Sequence, residues 1–159
     1  MFAPKHVLVP VDADVSGDKA LADGLVDDAA DLASAFDARI TLVHVALPVS
    51  SPAVPPEAEG PAYRAMLHVL DVRNQAAKRA LEALAKRVIA RGLTCDSALV
   101  TDPGNVPELL LSTAERIGAD LVVIATHGRR GMKRVVLGGV AERVAHLAKV
   151  PVLLLPPKH

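Results

Sequence analysis

Five short runs of mostly apolar residues recur along the chain, each about the length of a β-strand. They are HVLVPV at 6–11, ITLVHVA at 40–46, CDSALVT at 95–101, LVVIAT at 121–126 and VPVLLL at 150–155. Four of them are apolar almost throughout and do not alternate with polar residues. Continuous apolar runs are typical of parallel strands that are covered on both faces. The pattern therefore predicts a buried, parallel β-sheet.

The segments between these runs have the three- and four-residue apolar spacing of amphipathic helices. The predicted helices are 18–36, 61–92, 105–118 and 139–149. The first carries an apolar stripe of Leu21, Leu25, Ala29, Leu32 and Phe36. Proline opens the second helix and lies in the first turn of the third, and each of these two ends at a glycine, as helices often do. Residues 47–61 contain five prolines, so we predict a surface loop there.

Strands and helices alternate in the order β-α-β-α-β-α-β-α-β, which requires right-handed crossovers and places helices on both faces of the sheet. We therefore predict an α/β fold with a five-stranded parallel sheet, doubly wound in the Rossmann-like or flavodoxin-like manner. A length of 159 residues suits one domain spanning 1–159 and is too short for an α/β barrel.

Composition narrows the partners that this fold can have. The 18 basic and 18 acidic side chains give a net charge of zero, and aromatic residues make up 2% of the chain. A global attraction to nucleic acid or membranes is therefore not expected, nor is base stacking on aromatic platforms. The single cysteine, Cys95, and His44 are predicted to be core residues. Without signal-peptide or zinc-binding patterns, the sequence predicts a reduced, cytoplasmic protein.

Ligands of open α/β sheets bind beyond the carboxyl ends of the strands, where the strand order reverses. The segment DADVSGD begins with Asp12 at the tip of the first strand, and THGRRGMKRVVLGG follows the fourth. Gly128 allows a backbone to approach an anion closely, and Gly138 and Gly139 precede the unpaired amides of the last helix. Four cations accompany them, namely Arg129, Arg130, Lys133 and Arg134. These features favour a phosphate site over the alternative, a solvated loop that uses glycine for turning.

Established nucleotide motifs and catalytic constellations are otherwise missing from the sequence. It contains neither G-x-G-x-x-G after the first strand nor G-x-x-x-x-G-K-[ST]. No nucleophile is visibly paired with a base, although Asp12 and Asp14 could hold Mg²⁺ through water and phosphate oxygens. The residues therefore favour a binding protein over an enzyme.

Four blocks resemble the universal stress proteins of the single-domain type: VLVPVD (7–12), LVHV (42–45), GADLVVIATHGRRG (118–131) and GGVAERVAHLAKVPVLLL (138–155). Nucleotide-binding members of that family carry the motif G-x2-G-x9-G-[ST]. Its four named positions fall here on Ala125, Gly128, Gly138 and Gly139, of which two match. The resemblance covers essentially the whole chain.

The resemblance implies an adenine-nucleotide site for ATP, with AMP or ADP as alternatives, and at most slow ATP hydrolysis. The implied site residues are Val11, Asp12 and Val45 around ribose and adenine, and Ala125, Gly128, Gly138, Gly139 and Val140 around the phosphates. From their positions in the same loop, we add His127 as a donor or packing group and Arg129 as a supporting charge. The alanine costs binding energy only if its φ is positive, and the glycine at 139 lacks the hydroxyl of the motif. We expect these departures to weaken nucleotide binding without abolishing it.

The alternative is a stress protein that binds no nucleotide and acts through dimerisation and protein contacts. Residues 150–155 form an apolar strand that the element order places at one edge of the sheet. An exposed apolar edge invites pairing. Together with the resemblance, this predicts a homodimer in which the last strand meets its copy.

Overall fold

The computed structural model describes residues 1–46, 60–126 and 137–156. Within them, five strands alternate with four helices, and each element begins and ends within two residues of its predicted bounds. The elements are β1 (His6–Pro10), α1 (Lys19–Phe36), β2 (Arg39–Val45), α2 (Pro61–Ala90), β3 (Cys95–Val100), α3 (Val106–Ile117), β4 (Leu121–Ala125), α4 (Gly139–Leu147) and β5 (Val152–Leu155). Residues 47–59 of the predicted loop lie outside the described residues.

The strands form one parallel sheet in the order β3-β2-β1-β4-β5. β1 lies at its centre, with β2 on one side and β4 on the other, so the strand order reverses at β1. The predicted doubly wound α/β fold is confirmed, and so is the edge position of β5. The crevice where a ligand is expected lies above the carboxyl ends of β1 and β4.

Helices cover both faces of the sheet. On one face, Val7, Val9 and Val123 pack with buried residues of α1 and α2. On the other, Leu8 and Val122 pack with buried residues of α3 and α4. Each strand contributes neighbouring residues to opposite faces, and both sets are apolar because both faces are covered.

Local hydrogen bonds decide where the helices begin. The Asp18 carboxylate accepts the Leu21 N–H at 3.1 Å, and Asn105 accepts the Glu108 N–H at 3.1 Å. Such N-caps each stabilise a helix by about 1 kcal/mol. At α4 the N-cap is Gly138, which has no side chain for this bond, and Gly139 is the first helical residue. Neither glycine has a side chain that could cover the first amides of α4.

None of the helices in the described ranges has the length and apolar character needed to span a bilayer.

Candidate functional site

A cavity of about 460 Å³ lies at the carboxyl ends of β1, β2 and β4, where the strand order reverses. Most of its wall is apolar and includes Val11, Leu21, Leu25, Val43, Val45, Leu110 and Ile124. Polar groups enter from two sides, the turn after β1 and the start of α4. A mostly apolar cleft with a few converging polar groups is the usual form of a small-molecule site.

The turn between β1 and α1 is held by its own carboxylates. The Asp14 N–H donates to Asp12 Oδ1 at 3.2 Å, and the Asp14 carboxylate accepts the Ser16 N–H at 3.0 Å and its hydroxyl at 3.1 Å. The Gly17 N–H then donates to the Asp14 carbonyl at 2.8 Å. Asp12 is thus presented to the cavity by a tightly hydrogen-bonded turn rather than by a loose loop.

Gly17 is required by the close packing of this turn. A Cβ at this position would lie 2.9 Å from the carbonyl oxygens of both Asp12 and Asp14. Contacts that short force the backbone to move, so any larger residue displaces the carboxylate at the tip of β1. This role was not predicted from the sequence, although a glycine in VSGD, just beyond the strand tip, was an available signal.

Asp14 is also bound from α2, where the Arg73 guanidinium donates to its carboxylate. Partial burial raises the pKa of Asp14, but hydrogen bonds from the Ser16 N–H, Arg73 and the Ser16 hydroxyl outweigh it. The pKa of this carboxyl therefore lies well below its usual range, and Asp14 is ionised throughout the neutral range. The long helix α2 is in this way tied to the rim of the cavity.

The end of β2 supplies the opposite wall. Val45 is buried and lines the cavity. His44 is buried, as predicted, but it also lines the cavity, and its Nδ1 lies 3.1 Å from Ala13 N and 3.0 Å from Val11 O. The contact of this ring with the β1–α1 turn was not predicted, because nothing in the strand pattern shows which loop a core histidine meets.

The start of α4 forms a further side of the cavity. The Gly138 N–H donates to the Thr126 carbonyl at 2.7 Å, which brings the start of α4 next to the end of β4. Gly138, Gly139 and Val140 all line the cavity. The first amides of a helix have no partner within it and carry its positive dipole end, so they attract an anion.

Ala125 occupies the first position of the altered motif without strain. It lies at the end of β4, lines the cavity and packs against the core on the α1–α2 face. Among the described residues, Asp37 is the non-glycine residue with positive φ. Ala125 therefore does not have a positive φ. Its methyl group does not carry the conformational cost that would have weakened nucleotide binding.

The structure brings together seven of the predicted site residues, namely Val11, Asp12, Val45, Ala125, Gly138, Gly139 and Val140. The other three, His127, Gly128 and Arg129, lie outside the described residues, as do the neighbouring cations Arg130, Lys133 and Arg134. In the described parts of the chain, no three His, Cys, Asp or Glu side chains are grouped to hold a metal ion.

A sequence model described as the universal stress protein family matches residues 4–156. The chain belongs to this family. Universal stress protein A homolog 2 of Coxiella burnetii is 30% identical, over 94% of this chain and 92% of the relative. A universal stress protein of Methanocaldococcus jannaschii is 31% identical, over 95% of this chain and 81% of the relative.

Solved structures of universal stress proteins share the fold. UspA of Lactobacillus plantarum matches with a TM-score of 0.75 at 21% identity, over 98% of this chain and 99% of that one. An Archaeoglobus fulgidus member solved with dAMP matches at 0.65 and 18% identity, over 94% and 96% of the two chains. An Arabidopsis thaliana member solved with AMP matches at 0.58 and 20% identity, over 98% and 93%. Some of the structural neighbours thus bind adenine nucleotides.

Proposed function

We propose that this universal stress protein binds an adenine nucleotide in the cavity above β1 and β4, and acts as a regulatory stress-response protein through that ligand rather than as an enzyme. The observation that carries the proposal is the meeting of Asp12, Val45 and the start of α4 around one mostly apolar cavity. The proposal includes a single domain spanning 1–159 and the cytoplasmic location predicted from the sequence.

Each part of an adenine nucleotide has a complementary region in the lining of the cavity. The apolar side of the cavity, with Val43, Val45 and Leu110, suits the flat face of adenine. The Asp12 carboxylate is an acceptor for both ribose hydroxyls. The start of α4 faces the phosphates, where a helix N-terminus contributes about 0.3 to 1 kcal/mol for each anionic charge at an exposed site.

Charge favours a role for Mg²⁺ when the ligand is ATP. Asp12, Asp14 and Asp18 all line the cavity. Asp14 is paired with Arg73, and Asp18 caps α1, so part of this negative charge is already compensated. A triphosphate nevertheless adds more negative charge than a monophosphate. We therefore expect ATP binding to depend on Mg²⁺ more strongly than AMP binding does.

The proposed assembly is a homodimer through β5, because the two edges of the sheet differ. At the β3 edge, Asp96 is exposed and paired with Arg39 at 3.0 Å, which discourages strand pairing. At the β5 edge, residues 152–155 are all apolar, and Leu153 is 37% exposed. Two-fold pairing of β5 with its copy would cover this edge on both subunits.

A stress protein that binds no nucleotide is the second candidate. The observation that favours it is the start of α4, where Gly139 supplies no hydroxyl and Gly138 makes no side-chain cap. Such a protein would act through its dimer and through contacts with other proteins.

Thermal unfolding with millimolar ATP, ADP or AMP, each with and without Mg²⁺, separates the two candidates. A ligand that binds the folded state raises the melting temperature as its concentration rises. Asp12→Ala should weaken nucleotide binding and reduce this shift, whereas the exposed α2 variant Ile89→Ala, outside the cavity lining, should keep it in full. No shift with any nucleotide, in protein shown to be folded, would favour the second candidate.

Light scattering coupled to size exclusion tests the dimer and should report about twice the 16.6 kDa chain mass. Leu153→Lys is the informative variant because Leu153 is exposed, whereas Leu154 packs against the α3–α4 core of the same chain. The variant should be monomeric, and Ile89→Lys, also at an exposed apolar position, should stay dimeric. A monomeric wild type at micromolar concentration would contradict the dimer.

A further inference from the structure

His44 joins the end of β2 to the turn that carries Asp12. Its side chain is buried, with 8% of the residue exposed. Its Nδ1 lies 3.1 Å from the backbone N of Ala13 and 3.0 Å from the carbonyl oxygen of Val11. These two residues flank Asp12 on either side, so one ring nitrogen contacts the backbone both before and after the proposed ribose-binding carboxylate.

The His44 ring contacts the turn beyond the point where the backbone pairing of β1 with β2 ends. β1 and β2 are paired as far as Pro10 and Val43, and the Val11 N–H still donates to the Val43 carbonyl at 2.8 Å. Beyond that bond, the His44 ring contacts the turn at two further backbone atoms, Ala13 N and Val11 O. Ala13 is itself buried, with 7% exposed, so its amide needs an acceptor inside the protein.

The two contacts of Nδ1 require opposite proton positions. The nitrogen accepts the Ala13 N–H only when it carries no proton, and it donates to the Val11 carbonyl only when it does. One contact is therefore made at a time, and each of them ties β2 to the same turn. A side chain of similar volume without a polar atom at this place would make neither.

We propose that His44 is a positioning residue, which acts on the ligand through Asp12 by fixing the backbone of residues 11–13. The inference rests on the proposed function, because it takes Asp12 to be the group that binds the ribose. His44 also lines the cavity, so its ring forms part of the same wall that it positions. Arg73 holds the next residues of the turn through Asp14, and the proposal assigns the first half of the turn to His44.

Three substitutions separate the hydrogen bond from the volume of the ring, with AMP as the probe. In His44→Asn, the amide oxygen and nitrogen are bonded to Cγ, the carbon that carries Nδ1 in histidine, so they can replace the contacts of Nδ1. In His44→Gln, the amide is one carbon further out, and His44→Leu has no polar atom. We expect the Leu and Gln variants to bind AMP roughly tenfold more weakly, and the Asn variant to stay within about threefold of wild type. Equal affinities in the Asn and Leu variants would overturn the proposal.

Coupling to Asp12 distinguishes a positioning role from a general loss of packing. If His44 acts through Asp12, removing the carboxylate first should remove the effect of the ring. Asp12→Ala combined with His44→Gln should therefore bind AMP as weakly as Asp12→Ala alone. Additive losses in the double variant would mean that His44 affects the ligand by another route. The Gln and Asn variants keep this test available if His44→Leu does not fold.

A ligand-free measurement separates failure of this inference from failure of the proposed function. Hydrogen exchange of the Ala13 amide, followed by NMR without nucleotide, should be faster in the Gln and Leu variants and close to wild type in the Asn variant. Unchanged exchange in the Gln and Leu variants would overturn the inference whatever the protein binds. Absence of AMP and ATP binding by the wild type, with the expected exchange pattern, would overturn the proposed function instead and leave His44 holding an unliganded turn.

Discussion

At the amino ends of the strands, polar groups of the chain bind one another, whereas at the carboxyl ends they are arranged around a cavity. On the amino side, the Asp120 carboxylate accepts the backbone N–H of Lys5 at 3.0 and 3.1 Å and that of His6 at 3.0 Å. The buried His6 ring bonds to the buried hydroxyl of Thr41 at 2.8 Å. On the carboxyl side, Asp12 and the first turn of α4 line a space of about 460 Å³.

The difference shows how one sheet combines stability with binding. Both ends use the same chemistry, carboxylates next to backbone amides. At the amino end, the carboxylate of Asp120 is occupied by amides of its own chain, so this end contributes to folding. At the carboxyl end, the turn is held by Asp14, Gly17 and His44, and the positioned groups face the cavity. Substitutions at the two ends should therefore separate stability from ligand affinity.

The largest effect is expected for Gly17→Ala, at the carboxyl end. Its Cβ would lie 2.9 Å from two backbone carbonyl oxygens, so the turn that carries Asp12 must shift. We expect AMP affinity, measured by calorimetry, to fall about tenfold or more, with about 1 to 3 kcal/mol of stability lost. Gly24→Ala is the matched control, because a Cβ there meets no described atom within 4 Å and helix propensity should stabilise α1. Wild-type AMP affinity in Gly17→Ala would show that the turn does not position the ligand.

At the amino end, Asp120→Ala should lower stability by a similar amount but leave AMP affinity almost unchanged. Removing the acceptor of two backbone amides should cost about 1 to 3 kcal/mol in the free energy of unfolding, measured in urea. AMP affinity should stay within about twofold of wild type, since Asp120 lies at the far end of the sheet. Asp120→Asn, which keeps one carbonyl oxygen, should recover part of the stability. A large loss of affinity with intact stability would contradict the separation of the two ends.

Gly139→Ser should strengthen the carboxyl end. A Cβ at 139 would meet no described atom within 4 Å, so the serine fits, and its hydroxyl would restore the motif's donor to a phosphate. A charge-assisted hydrogen bond of this kind should tighten ATP binding roughly tenfold. Gly139→Ala adds the same Cβ without the hydroxyl and serves as the control. If both variants bind ATP equally well, the hydroxyl makes no contact with the ligand.

The smallest effect is expected for the pH dependence of stability at His6. Burial first, and the neighbouring Arg39 charge second, lower the pKa of His6. These effects outweigh the raising effects of a hydrogen bond with the Ile117 backbone and of the Asp120 and Asp96 charges. The unfolded chain therefore binds the proton first as the pH falls through about 6.5, and stability is lost below that value. His6→Gln removes the titration and should narrow the difference in unfolding free energy between pH 7.5 and 5.5. An unchanged difference in His6→Gln would contradict the lowered pKa of His6.

Most of the fold could be read from local patterns. Continuous apolar runs predicted the buried strands, and the stripe of Leu21, Leu25 and Ala29 predicted α1. Cap residues predicted helix ends closely, since Asn105 and Gly118 do flank α3. These signals are local because a helix repeats every 3.6 residues and a strand every two, so a short window contains the information.

The site was only partly predictable, and the misses at His44 and Arg73 share a reason. Asp12, Gly138 and Gly139 could be found because strand tips and helix starts are visible in the sequence and the motif resembles that of a known family. Gly17, His44 and Arg73 were missed. His44 meets the turn from 31 residues away, and Arg73 meets Asp14 from 59 residues away. No local pattern carries contacts of that separation.

The sequence by itself therefore determined the elements, their order and the two segments that line the cavity, since these depend on residues that are neighbours along the chain. The tertiary structure decided which strand lies at the centre of the sheet, which histidine reaches which loop, and that Ala125 fits its place without strain. Those outcomes depend on how α1, α2 and β2 pack together. Packing brings distant residues within hydrogen-bonding distance, and only the folded chain defines those distances.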